Sequence, residues 1–154
     1  PSDGKLPPYD PAQPLSKQFG NPVHCVRLSA DGLVYVCDRV NNRIQVFRRD
    51  GTFVAETVVA RPTRGIGSVW DLELSHDEQF LYVADGTNMK IWILRRSDLS
   101  LVGSFGRMGR NAGQFRGVNG LGVDSRGNIF TGEVSDGRRV QKFVFKGVAP
   151  SPGQ

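Results

Sequence analysis

Three carboxylates stand at matching points along the chain: Asp38, Asp85 and Glu133, spaced by 47 and 48 residues. Each precedes a cation by five or six residues, namely Arg43, Lys90 and Arg139. A ring of carboxylates could hold a cation such as calcium, but a metal cage would not keep a positive side chain beside every acid. The other reading is a turn device, in which the acid accepts loop amides and pairs with the cation of the next strand. We expect the turn device.

Metal chemistry has few other carriers. The chain has two histidines, His24 and His76. A catalytic zinc commonly takes three protein ligands. His76 falls in a turn at the far end of its strand, and Cys25 points to the opposite side of the strand from His24. No nucleophile–base pair stands out. Cys25 and Cys37 are symmetric about the Asp31-Gly32 turn. They could face each other across a hairpin as a disulfide, or stay as two small buried thiols.

Arginine offers different chemistry. Two glycine-rich loops carry it: Arg61-Pro-Thr-Arg64-Gly-Ile-Gly67 and Gly106-Arg107-Met-Gly-Arg110-Asn-Ala-Gly113. A guanidinium on a loop can fork onto a carboxylate or a phosphate. These loops hold no aromatics to stack on bases, which favours an anionic small molecule, a peptide or a protein over nucleic acid. The candidate ligand-binding residues are Arg39, Arg64, Arg107, Arg110 and Asn119. The bland alternative is a solvated rim where each arginine pairs with its own neighbouring acid.

The elements that would position these groups repeat. Leu28-Ser-Ala-Asp-Gly-Leu-Val-Tyr-Val-Cys-Asp38 parallels Leu74–Asp85 and Val123–Glu133. Gln18-Phe19 recurs as Gln114-Phe115, and Arg48-Arg49 as Arg95-Arg96. Periods of this size indicate solenoids, propellers or arrays. Each repeat reads as short strands of alternating polarity, with Asp31-Gly32, Asp50-Gly51 and Ser97-Asp98 as turn signals. Four antiparallel strands per repeat make a propeller blade. The expected fold is therefore all-β, with about three four-stranded blades at 18–60, 61–106 and 107–147. Two prolines follow Lys146, so the last blade should lack its outer strand. Residues 1–17 hold five prolines and read as a lead or linker, and 148–154 as a tail.

Composition agrees with a folded chain. Of 154 residues, 38% are hydrophobic and 23% charged, with a formal net charge of +5. That is too apolar for a disordered chain. No stretch is long enough for an apolar helix to cross a bilayer. Blade connections alternate between two faces, and the face collecting the inter-blade loops holds ten cations against four carboxylates.

The spans Gln18–Phe47 and Gln114–Phe143 resemble the NHL repeat. The carrying motifs are Gln-Phe-x-x-Pro, Asp-Gly-x-Val-Tyr-Val-x-Asp and Asn-x-Arg-Ile-Gln-Val-Phe. The resemblance implies a six-bladed propeller, of which three blades are half. Within that class the pattern is similar to the C-terminal half of the amidating-lyase family, whose members are zinc lyases. That likeness implies a metal ligand at His24, which follows Pro22-Val23 at the start of an innermost strand. The equivalent places hold Trp70 in the second repeat and Asn119 in the third.

Two functions follow as expectations. One is a non-enzymatic binding module with a basic loop face. The other is a metal-dependent lyase or hydrolase whose site is completed by a missing half or a second subunit. Zinc or calcium would be its metal. The chain begins with Pro1, so its natural N-terminus is expected to lie upstream, and the compartment stays open. Either a missing N-terminal half or a second copy would complete the ring.

Overall fold

The computed structural model describes residues 8–148. Eleven strands form three antiparallel sheets. The first is β1 (Val23–Leu28), β2 (Leu33–Asp38), β3 (Arg43–Arg48) and β4 (Phe53–Val58). The second is β5 (Asp71–Leu74), β6 (Phe80–Asp85), β7 (Lys90–Arg95) and β8 (Leu101–Phe105). The third is β9 (Val118–Val123), β10 (Ile129–Glu133) and β11 (Val140–Phe143). Each sheet is a simple meander, with neighbours in the chain paired in space. Among the described residues the third sheet has three strands, and the blades do not close into a ring.

Alternation explains how the blades stack. Successive strand residues point to opposite faces. In β6, Leu81 and Val83 pack towards the first blade, in one core with Tyr35, Cys37, Ile44 and Val46. Tyr82 and Ala84 point the other way, into a second core with Phe115, Val118 and Ile129. The middle blade is thus apolar on both faces. Leu81 and Val83 are fully buried, and truncating such a side chain to alanine costs about 2–5 kcal/mol. On the first blade's other face, Val26 and Leu28 stay more than half exposed, at 52% and 58%.

The turns are built from the same parts in each blade. The Ser29 hydroxyl accepts the Leu33 amide at 3.1 Å, and the Ser75 hydroxyl accepts the Phe80 amide at 2.9 Å. In the third blade the Asp124 carboxylate replaces the hydroxyl and accepts the Asn128 amide at 2.9 Å. Asn42, Met89 and Arg138 sit at matching places in the second hairpin of each blade, all with positive φ. That backbone is costly for ordinary residues. At Asn42 the side chain offsets it, donating to the Thr63 carbonyl and accepting the Ser68 amide at 2.8 Å.

The register of β1 and β2 sets Cys25 directly opposite Cys37. The two sulfurs are bonded, with Cα atoms 4.8 Å apart. Of the two readings left open by the sequence, the disulfide is the one observed.

Candidate functional site

The repeated carboxylates close turns in all three blades. Buried Asp38 accepts the Gly20 amide at 2.9 Å, the Asn41 side chain at 2.9 Å and Arg43 Nε at 2.8 Å. Arg43 also donates to the carbonyls of Ser16 and Gln18. It thereby ties the chain leading into the blade to the blade's third strand. Glu133 repeats this arrangement with Arg139, whose guanidinium also reaches the carbonyls of Arg110 and Gln114. Burial pushes the Glu133 carboxyl up, but bonds from Arg139, the Arg116 amide and Gln141 outweigh it and hold it below its usual range.

The middle blade departs from the expected pairing. Asp85 accepts the amides of Thr87 and Asn88, the Asn88 side chain and the indole N–H of Trp92, the last at 2.8 Å. Lys90 does not pair with it. Its ammonium lies 5.3 Å from the centre of the Trp92 ring, a cation–π position. The indole has displaced the cation as the donor, and burial pushes the Asp85 carboxyl up despite four hydrogen bonds.

The inner strands β1, β5 and β9 lie side by side. Along them runs an open groove of about 450 Å³, lined by His24, Trp70, Asp71 and Asn119 among others. The three matching positions named above, His24, Trp70 and Asn119, therefore meet in space. His24 Nδ1–H donates to the Trp70 carbonyl. A carbonyl can only accept, so Nδ1 carries the proton and, in the neutral ring, Nε2 is the free acceptor. Asp71 joins the blades. One of its oxygens accepts from Arg27 at 3.0 Å, the other from the Leu121 amide at 2.9 Å. Arg27 also bonds Glu73 at 3.2 Å, so Asp71 in the groove and Glu73 outside its lining share one cation.

Arg39 stands over this groove's aromatic wall. Its guanidinium carbon is 4.9 Å from the centre of the Trp70 ring. The Trp70 indole N–H is held by the Gly67 carbonyl at 2.9 Å and the Thr87 hydroxyl at 3.2 Å, which fixes the ring as a platform. Arg39 Nε is buried with no hydrogen-bond partner. Burial pulls this guanidinium below its usual range. The loop carrying Gly67 packs closely on the Arg39 backbone: a Cβ at Gly67 would stand 1.9 Å from the Arg39 carbonyl oxygen. With φ at +79° as well, only glycine suits that position.

The other sequence candidates lie elsewhere. Arg64 is exposed and 3.6 Å from Asp10. Arg107 and Arg110 are exposed on the loop between β8 and β9. None of the three lines the groove, nor does Arg39, which meets it only through the Trp70 ring. Among the described residues Arg39, Arg107 and Arg110 have no ion-pair partner, whereas Arg43, Arg116 and Arg139 do. Trp70 and Trp92 both lie on strand patterns that suggest core packing. Trp92 does pack against the first core, but Trp70 is half-buried at the groove. Its match to His24 and Asn119 across the repeats was the available signal. The Arg27–Asp71–Glu73 cluster had none, because its members come from two repeats.

Among the described residues no group of three or more His, Cys, Asp or Glu is placed to hold a metal ion, and no helix is long and apolar enough to cross a membrane.

The NHL repeat family matches residues 23–47. No curated protein sequence matches the chain. Solved structures do. Virginiamycin B lyase from Staphylococcus aureus is 16% identical with a TM-score of 0.54, over 79% of this chain and 41% of that one. A Bacteroides uniformis protein provisionally described as a 6-phosphogluconolactonase is 16% identical with a TM-score of 0.62, over 85% and 38%. The dihydro-heme d1 dehydrogenase NirN is 18% identical with a TM-score of 0.55, over 80% and 28%. The chain spans about two fifths or less of the length of each. Their named chemistries differ, so the likeness is one of fold. The chain carries an NHL-repeat-like β-propeller fold, in three blades that form no closed ring among the described residues.

Proposed function

We propose that the protein is a non-enzymatic binding module that takes an anionic ligand on its loop face. The ligand's carboxylate or phosphate would meet Arg39, with Asn119 and His24 beside it in the groove and Arg107 and Arg110 drawing it in. The observation that carries this reading is Arg39. It is stacked on Trp70, has no acid partner among the described residues, and keeps a buried Nε–H with nothing to donate to. An anion would pair with the terminal guanidinium nitrogens, which the buried Nε leaves as the reachable donors, and a guanidinium suits a forked oxyanion better than an ammonium does. A peptide carboxylate or an acidic protein fits this description better than nucleic acid.

The test uses tryptophan emission, since Trp70 lies under Arg39. The protein is titrated with inorganic phosphate and with a peptide bearing a free C-terminal carboxylate. Substituting Arg39, Arg107 and Arg110 by alanine together should abolish the response. If the triple variant binds both probes as well as the parent, the reading fails.

A second reading rests on His24. Its Nδ1–H is tied to a carbonyl, as in metal-ligating histidines, which leaves Nε2 to face a metal. An amidating-lyase-like site would need further ligands from outside the described residues. It accords with three blades being half of a six-bladed ring, completed by a missing half or by a second copy. Elemental analysis for zinc and calcium, with His24→Ala as control, tests it: metal held equally by the variant excludes His24.

A further inference from the structure

We infer that the Cys25–Cys37 bond is a redox latch on the groove. Closed, it holds His24 against the second blade; opened by a dithiol, it frees that side chain and weakens the hold on an anion. The binding clause rests on the function proposed above. The latch itself rests on a β-bulge. Along β1, Val23 pairs with Asp38 and Cys25 with Cys37. His24 is therefore an extra residue, so His24 and Cys25 together oppose Cys37. Plain alternation would set His24 on the side of Val26, away from the second blade. With the bulge it reaches the Trp70 carbonyl, and its ring centre lies 5.9 Å from that of Trp70. Beyond Cys25 the ladder has one further pair, so His24 sits where the sheet frays most easily. The disulfide fastens the residue next to it.

The third blade shows what the bond adds. Asn119 stands in the same bulge, between the Val118–Glu133 and Gly120–Gly132 pairs. Gly120 and Gly132 take the places of the two cysteines, so Asn119 has no such fastening. The bulge aims a side chain into the groove by itself; the bond adds a lock to the copy that carries histidine. That lock is open to attack from the groove. Cys25 lines the groove and is half-buried, whereas Cys37 is fully buried. One thiolate of a dithiol attacks Cys25 Sγ, and the bonding pair leaves on Cys37 Sγ, which takes a proton. The second thiolate displaces Cys25 from the mixed disulfide. The protein gains two electrons and two protons, and the reductant leaves as a disulfide.

The test reads His24 with no ligand present. In folded, isotope-labelled protein the ring nitrogen shifts should report Nδ1–H in the oxidised chain. Dithiothreitol should convert this to mixed tautomers while the Asn119 side-chain amide keeps its shift, and alkylation should then find two thiols. Affinity for the carboxylate peptide, from tryptophan emission, should fall about fivefold, the loss of one hydrogen bond. The Cys25→Ala, Cys37→Ala double variant should match the reduced parent with or without dithiothreitol. Unchanged ring shifts would overturn the latch, as would a bond that resists the dithiol in the folded chain. Loss of the sheet signal in circular dichroism on reduction would overturn it too, by making the bond a staple. Altered ring shifts with unchanged affinity would overturn its effect on binding. An oxidised parent that binds neither peptide nor phosphate sinks the anion reading alone, and the ring shifts still decide the latch.

Discussion

Arg96 of the second blade reaches across to the first and grips Asp31, while its Nε donates to the Tyr35 hydroxyl at 2.7 Å. The two residues are 65 positions apart. The guanidinium also lies 5.8 Å from the Tyr35 ring centre, so one side chain clasps the turn and the core tyrosine of its neighbour. The hydrogen bond from Arg96 and that from Ser29 hold the Asp31 carboxyl at about 2, against an ordinary 3.8. A depressed acid adds stability above its unfolded pKa and loses it as pH falls through the folded one. The window is therefore from about pH 4 down to about pH 2. Asp31→Asn should flatten the acid limb of melting temperature against pH in that window. The effect at neutral pH should stay within about 1 kcal/mol, since Asp31 is more than half exposed.

Arg43 and Lys90 occupy equivalent positions but should respond very differently to removal. Arg43→Met leaves buried Asp38 and two loop carbonyls without their donor. Breaking a buried pair in this way costs about 3–5 kcal/mol. Lys90→Met removes a cation that no acid faces among the described residues, and should cost no more than about 1 kcal/mol. Urea unfolding of the two variants checks the contrast.

Asp85 should show the opposite pH sign to Asp31. Its carboxyl is raised by burial, so the folded state holds the proton more tightly than the unfolded one. Stability from this group falls as pH rises above the ordinary aspartate value of 3.8. Asp85→Asn should be destabilised by the lost acceptor for Trp92 or Asn88. That deficit against the parent should shrink as pH rises from 4 towards neutrality, as read by unfolding midpoints at each pH.

Reducing the Cys25–Cys37 bond should lower stability without changing the sheet content. The cysteines are 12 residues apart, and a loop that short corresponds to about 3 kcal/mol on the chain-entropy estimate. Double alanine substitution, followed by urea unfolding with and without dithiothreitol, should show reductant sensitivity in the parent and none in the variant.

The blades and their strands were legible in the sequence because alternation and turn residues act locally. Ser29, Asp31 and Gly32 mark a hairpin whatever lies beyond it. The three-stranded last blade seen among the described residues was legible too, from the prolines after Lys146. The cysteine pair was legible as far as its symmetry about the turn; the bond itself depended on the Cys25–Cys37 register. Asp85 was misread because Trp92, seven residues on, offers an N–H as good as the expected ammonium. Arg39 over Trp70 was hidden for a different reason. The two belong to different repeats, and only blade stacking brings them together.

That stacking has a consequence for where the protein can be cut. Asn42 of the first blade donates to the Thr63 carbonyl and accepts the Ser68 amide at 2.8 Å, both beyond the end of that blade's last strand. Tyr35 and Asp31 in turn rely on Arg96, in the turn between the third and fourth strands of the next blade. A chain ending after Ala60 would keep a whole repeat yet lose every one of these partners. The unit of cooperative unfolding is then the junction between blades, and the repeat visible in the sequence is only its period.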